Sequence, residues 1–209
     1  MIGIRKEMIN MKRICLIVIG LTLLFSLGGC TQNNDSKKTK ENQSSNVQET
    51  TDSKSLVLYF SATGNTKSVA EKIQGLTDSD IIEIEPKESY TSADLNYNND
   101  DCRANQEQND DSARPEIKNT INIAPYKTIY LGYPIWWGDV PKIILTLMDN
   151  YDFSGKTVIL FCTSGGSDIT TSVNTLKEYK SEVNFKDGQQ FGASVSENEI
   201  KTWLDSINN

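Results

Sequence analysis

The chain has 209 residues, a formal net charge of −7, four cysteines and no histidine. Without histidine, Ser-His-Asp and Cys-His nucleophile systems and His-based zinc sites are excluded, and no metal site is expected. The acidic balance argues against nucleic acid as a partner and against a direct electrostatic grip on anionic lipid.

The first thirty residues read as an address rather than as fold. Lys12 and Arg13 precede an apolar run from Ile14 to Leu27, followed by Gly28, Gly29 and Cys30. The run falls short of the roughly 20 residues of a membrane-spanning helix and suits an export signal. Met11, followed by Lys12 and Arg13, would itself open such a signal. The ending Leu27-Gly28-Gly29-Cys30 resembles the lipobox of bacterial lipoproteins. That resemblance implies a signal peptide over 1–29, cleavage before Cys30 and a lipid on its sulfur. The product would be held at the extracytoplasmic face of the cell membrane. A plain signal peptide or an uncleaved anchor is the alternative.

From Thr31 to Lys54 the chain is Asn, Gln, Ser, Thr and charged residues, with Val47 as the only aliphatic side chain. Such a segment buries no core and is expected to be a disordered tether over 30–54, spanning about 25–30 Å root-mean-square. Residues 1–29 carry four basic side chains and one acidic one, so their removal would take the formal charge from −7 to −10. A surrounding charge of that size disfavours adding negative charge to a bound cofactor. The remainder, 55–209, has the size of one domain. Its two cysteines, Cys102 and Cys162, make no disulfide framework and are expected to be free thiols.

The domain opens with an apolar strand, Leu56 to Phe60, running into the hydroxyl-rich turn Ser61, Thr63, Gly64, Asn65 and Thr66 and then a helix over about 65–75. A strand, a glycine turn and a helix N-terminus make an anion site from unpaired N–H groups and the positive end of the helix dipole. No Lys follows as in a Walker A loop, and no further Gly as in a dinucleotide fingerprint. The turn therefore suits a phosphate monoester held by neutral donors.

A second strand spans Asp80 to Pro86, and a long polar stretch follows from Ser89 to Pro115. The third strand, Thr128 to Tyr133, runs into Pro134-Ile135-Trp136-Trp137-Gly138-Asp139, and a helix over 140–150 carries Pro141 in its first turn. Two adjacent tryptophans in a loop are costly to expose and hard to bury twice over. One ring suits packing and the other suits stacking on a planar ligand. The fourth strand, Lys156 to Cys162, ends in Thr163-Ser164-Gly165-Gly166-Ser167, whose glycines let backbone approach a flat ligand. A helix over 168–180, a weaker fifth strand over 190–196 and a helix over 197–207 complete the chain. Alternating strands and helices predict a parallel sheet with helices on both faces and a ligand at the carboxyl ends of the strands.

The pattern Ser61-x-Thr63-Gly64-x-Thr66 resembles the phosphate loop of the flavodoxin family, and the Trp-Gly-Asp and Thr-Ser-Gly-Gly-Ser loops follow in the family's order. The resemblance implies a doubly wound, five-stranded parallel sheet of order 2-1-3-4-5 in a three-layer α/β/α sandwich. It also implies FMN, with phosphate on Ser61, Thr63, Gly64, Asn65 and Thr66. The ring would lie among Pro134, Ile135, Trp136, Trp137, Gly138 and the 163–167 loop, with Trp137 favoured for stacking and Trp136 second. No protein side chain is expected to be catalytic, since the chemistry would sit on the flavin. Many family members supply a Tyr from the loop after the fourth strand, and this chain has none there. The 89–115 stretch, with Tyr90, Tyr97, Arg103 and Arg114, would be the cover instead, or the second ring face would lie open. The implied roles are an electron carrier serving a redox partner protein or quinone, or an FMN-dependent NAD(P)H or quinone-type reductase. A non-redox lipoprotein binding another phosphorylated ligand is the third possibility.

Overall fold

The computed structural model of the protein describes residues 54–207. The signal, Cys30 and the tether up to residue 53 lie outside the described residues. Five strands, β1 (Ser55–Tyr59), β2 (Asp80–Glu83), β3 (Thr128–Pro134), β4 (Thr157–Thr163) and β5 (Asn184–Phe191), pair in parallel in the order β2-β1-β3-β4-β5. The helices are α1 (Asn65–Thr77), α2 (Arg103–Asn109), α3 (Lys142–Asn150), α4 (Thr170–Tyr179) and α5 (Glu197–Ile207).

Side chains alternate across each strand, so the central strands feed two separate cores. Leu56, Leu58, Ile129, Leu131, Val158 and Leu160 point to one face and pack with α3 and α4. Val57, Tyr59, Tyr130, Ile159 and Phe161 point to the other and pack with α1 and α5. The result is the expected three-layer sandwich. Among the described residues no helix is long and apolar enough to cross a membrane.

The fifth strand lies earlier than the sequence pattern indicates, at 184–191 rather than 190–196. It is an edge strand on which only Phe185 and Phe191 are buried. The register against β4 slips by one residue between Ile159 and Phe161. That bulge sends Phe185 and Phe191, six residues apart, to opposite cores and erases the strand's period of two. Gly188 sits at the irregularity, where a Cβ would overlap Leu160 and Ile169. Ser196 belongs to the next element: its Oγ accepts the Glu199 N–H at 3.3 Å, and the Glu199 carboxylate accepts the Ser196 N–H at 2.9 Å. This reciprocal capping box opens α5.

Two smaller differences follow from local chemistry. Pro141 has an extended backbone and precedes α3 rather than lying in its first turn. The polar stretch 89–115 contains α2, capped by Cys102, whose Sγ accepts the Asn105 N–H at 3.4 Å. Cys102 and Cys162 are both free and buried. Burial, with a smaller contribution from Asp168, pushes the Cys162 thiol up to about 12, so it stays protonated at neutral pH.

At the centre of the sheet Gly132 pairs with Phe161, and a Cβ on Gly132 would overlap the Phe161 ring. Gly132→Ala is expected to cost about 1–3 kcal/mol through overpacking. A lowered urea midpoint at unchanged slope would show it; wild-type stability would mean that the ring can move aside.

Candidate functional site

The loops that leave β1, β3 and β4 meet at the carboxyl edge of the sheet. After β1 the ladder continues one residue further, with the Phe60 N–H donating to Gly132 O at 2.9 Å. The chain then reverses through Gly64, whose φ of +88° favours glycine. Helix α1 starts with no side-chain cap, so nothing in the turn competes for the first N–H groups through such a cap. The Ser61 hydroxyl accepts the Gly64 N–H at 3.1 Å and keeps its own proton for another acceptor. Thr63, Gly64 and Asn65 are exposed. Thr66 is buried, and its hydroxyl shares a 2.7 Å hydrogen bond with that of Thr163. This bond ties the start of α1 to the end of β4.

The second loop begins where Pro134, which lacks an N–H, ends β3, and the Ile135 N–H donates to Thr163 O at 2.9 Å. Trp136 and Asp139 then exchange two backbone hydrogen bonds, of 3.0 and 2.9 Å, around the tip residues Trp137 and Gly138. Both tip residues have positive φ, +51° and +78°, the signature of a type I′ turn. For a tryptophan that backbone is an outlier. Two side chains outside the turn hold it. Asp139 accepts the Thr175 hydroxyl at 2.9 Å and the Val140 N–H at 2.7 Å. The Gln108 amide, from α2, donates to Trp136 O and Val140 O and accepts the Lys142 N–H.

The two indoles have different surroundings. Trp136 is half-buried and packs edge-to-face with Phe60 and Tyr90 at centroid distances of 5.5 and 5.0 Å. Trp137 meets Trp136 edge-on at 6.4 Å and is 46% exposed. The packed ring is thus Trp136 and the available one is Trp137.

In the third loop Ser164 is stitched to β5: its N–H donates to Phe191 O at 3.1 Å and its carbonyl accepts the Gln190 side chain at 3.1 Å. Its hydroxyl accepts the Gly166 N–H at 3.1 Å. Gly165, Gly166 and Ser167 are exposed.

A cavity of about 340 Å³ opens at this edge, lined by Thr63, Ile135, Trp136 and Trp137 and, from the polar stretch, Leu95, Tyr97 and Ala104. It gathers Thr63, Ile135, Trp136 and Trp137 of the expected cofactor residues and Tyr97 of the expected cover, but none from 163–167. Of the four cover residues, only Tyr97 fits that role, since it lines the cavity and is 70% exposed. Tyr90 is taken up in structure: its hydroxyl donates to Glu107 at 2.5 Å and the Arg103 guanidinium lies 3.7 Å over its ring. Arg103 also binds Glu107 at 3.0 Å, and Arg114 is held away by Asp149 and Tyr179. Leu95, Ala104, Gln108 and the holding role of Asp139 were not visible from sequence. Only the quoted Trp-Gly-Asp pattern hinted at Asp139.

A doubly wound sheet with a hydroxyl turn after its first strand and an aromatic turn after its third defines a flavodoxin-like protein. A family model described as flavodoxin matches residues 54–207, and the chain belongs to that family. Among solved structures, a candidate flavoprotein from Bacteroides eggerthii is 43% identical, over 75% of this chain and 98% of its own, with a TM-score of 0.71. Another from Bacteroides uniformis is 38% identical over 73% and 97%, also at 0.71. A flavoprotein from Lactobacillus acidophilus, in complex with FMN, is 32% identical over 73% and 99%, at 0.56. No curated protein matches the chain significantly.

Asp139→Ala removes the acceptor for both Thr175 and the Val140 N–H, and is expected to cost about 1–3 kcal/mol. Tryptophan emission should shift to the red as the turn loosens, while Asp139→Asn, which keeps an acceptor, should stay nearer wild type. Equal behaviour of the two variants would remove Asp139 from this role.

Proposed function

We propose that the protein binds FMN and carries electrons at the extracytoplasmic membrane face, anchored through a lipid on Cys30. The observation that carries the FMN reading is the uncapped start of α1 inside a hydroxyl turn, in a chain 32% identical to a flavoprotein in complex with FMN. Ser61, Thr63, Asn65 and the first N–H groups of α1 would hold the phosphate. Thr66 and Thr163 fix the turn against β4 and have one hydroxyl proton left over between them. Trp137 would offer its exposed face to the ring, and Gly165 and Ser167 their backbone N–H groups to the ring's polar edge, the Gly166 N–H being held by the Ser164 hydroxyl.

When bound, the flavin supplies the electron transfer and the protein sets its position and surrounding field. This chain's part is to present a pre-formed aromatic face, to bind a phosphate without a basic side chain among its hydroxyl donors, and to surround the group with net negative charge. A second reading, an FMN-dependent reductase acting on a small molecule, is favoured by the open cavity beside Trp137.

The protein as purified should show flavin absorbance; a colourless protein that gains none with added FMN would leave the non-redox reading. Anaerobic reduction in two separate one-electron stages with negligible NAD(P)H oxidation fits the carrier, whereas NAD(P)H turnover with quinone fits the reductase. Aromatic stacking contributes about 0.5–1.5 kcal/mol beyond buried area, so Trp137→Ala should weaken FMN about threefold to tenfold with little loss of stability. Trp136→Ala should instead cost about 3 kcal/mol of stability, the low end for an excised indole. The reverse order would overturn the stacking assignment.

A further inference from the structure

Helix α3 starts behind the aromatic turn without a cap of its own. Its N-cap residue is Pro141, whose side chain carries no acceptor and makes no cap hydrogen bond. The first helical N–H, that of Lys142, is accepted instead by Oε1 of Gln108 at 3.2 Å, from α2. The other end of the same amide, Nε2, donates to Trp136 O at 3.2 Å and to Val140 O at 3.4 Å. The partners fix which end is which, since two carbonyls require a donor and one N–H requires an acceptor. One planar amide thus spans the chain from 136 to 142, across the turn that holds Trp137 at a φ of +51°.

The amide is itself held from behind. Asn105 pins α2 to the segment before it, its buried side chain donating to Tyr97 O at 3.3 Å and to Asn99 O at 2.6 Å. The Arg103 guanidinium donates to Glu88 O at 2.9 Å, and the Ala104 N–H to Asp94 O at 3.0 Å. A strained backbone persists only while its surroundings over-determine it. Gln108 bonds to both flanks of the strained turn, and none of these three side-chain bonds goes to α1, where the phosphate would sit. Loss of the amide would therefore loosen the aromatic face and leave the phosphate turn as it is.

We propose that Gln108 is a positioning residue of the cofactor site: it caps α3 from another helix and, with the same amide, holds Trp137 in the orientation that stacks on the flavin. The 89–115 stretch then supports the ring's aromatic face from behind as well as lining the cavity. The inference rests on the FMN reading for what the indole stacks on, whereas the clamp can be measured without it.

The test is a double-mutant cycle on FMN affinity in the full-length protein, with Gln108→Leu, Trp137→Ala and both together. A change that acts through Trp137 has nothing left to act on once the indole is gone. Gln108→Leu is expected to weaken FMN about threefold, and the double variant to bind FMN no more weakly than Trp137→Ala alone. Gln108→Glu separates the two ends of the amide. It keeps an acceptor for the Lys142 N–H but sets a carboxylate against two carbonyls at neutral pH. Its affinity should match that of Gln108→Leu there. It should return toward wild type, compared at equal pH, as the carboxyl gains a proton below about pH 5 and can donate again. This variant also decides the matter where Gln108→Leu does not fold. Additive losses in the double variant would mean that Gln108 serves the fold and not the ring, and would overturn the proposal. Unchanged FMN affinity in Gln108→Leu, or wild-type affinity in Gln108→Glu at neutral pH, would overturn it too. If the protein takes up no FMN, the cofactor reading falls and the fluorine-NMR signal of Trp137 in fluorotryptophan-labelled protein decides. A shift of that signal in Gln108→Leu upholds the clamp, and an unmoved signal removes it.

Discussion

Because β1, β3 and β4 are covered by helices on both faces, their interior positions have no room for a group that must meet water or a charged ligand. Tyr133 shows the rule: its hydroxyl is fully buried and survives by pairing with Ser172 at 3.0 Å. Cys162 shows it differently, as a thiol that burial keeps protonated. Binding chemistry is therefore displaced to the strand ends, where the ladder stops and the next helix has not yet begun. The hydroxyls of Ser61, Thr63 and Thr66, the tip at Trp137 and the glycines at 165 and 166 all fall there. Even the last residue of β4 obeys the division, since the buried Thr163 hydroxyl is paired with that of Thr66.

Within that edge the aromatic turn is the most constrained element. A tryptophan at positive φ costs on the order of 1–3 kcal/mol and persists only where its surroundings over-determine it. Here they do: two reciprocal backbone bonds close the turn, Asp139 ties it to α4, and Gln108 ties both of its flanks to α2. The backbone strain and the exposure of Trp137 are two sides of one arrangement, for the same turn that bends the chain back lifts the indole off the core. The Gln108 contacts also join the two walls of the cavity, since α2 carries Ala104 as well.

What was legible in the sequence was what periodicity and turn chemistry encode. The buried strands β1, β3 and β4 are continuous apolar runs, and α1 and α5 carry apolar residues at helical spacing, so the sandwich and its ligand edge could be read directly. The resemblance carried the strand order. β5 was misplaced because a one-residue bulge reverses its faces midway and its other side chains are polar at an open edge. α2 was hidden because seven residues containing only one buried apolar side chain, Ala104, leave no stripe to detect. The cavity's second wall was illegible for the same reason: Leu95, Tyr97 and Ala104 come together through turns and a Cys-capped helix, not through any spacing. The division between Trp136 and Trp137 was legible as a division, the resemblance favoured Trp137 as the stacking ring, and the packing of Phe60 and Tyr90 on Trp136 supplies the physical reason that Trp137 is the available one.

The electrostatics of the edge follow from where the cations have gone. The arginines and Lys142 of the α2 side are held in pairs with Glu107, Asp149 and Asp111, so they stabilise the segment rather than face a ligand. What remains for an anion is the start of α1 and neutral hydroxyls, which suffice for one phosphate near a helix terminus but fall off within a turn. A second phosphate further out would meet a chain of net negative charge. The ion pairs around α2 thus keep its cations away from the strand ends and leave the start of α1 as the place on this edge best suited to a negative group.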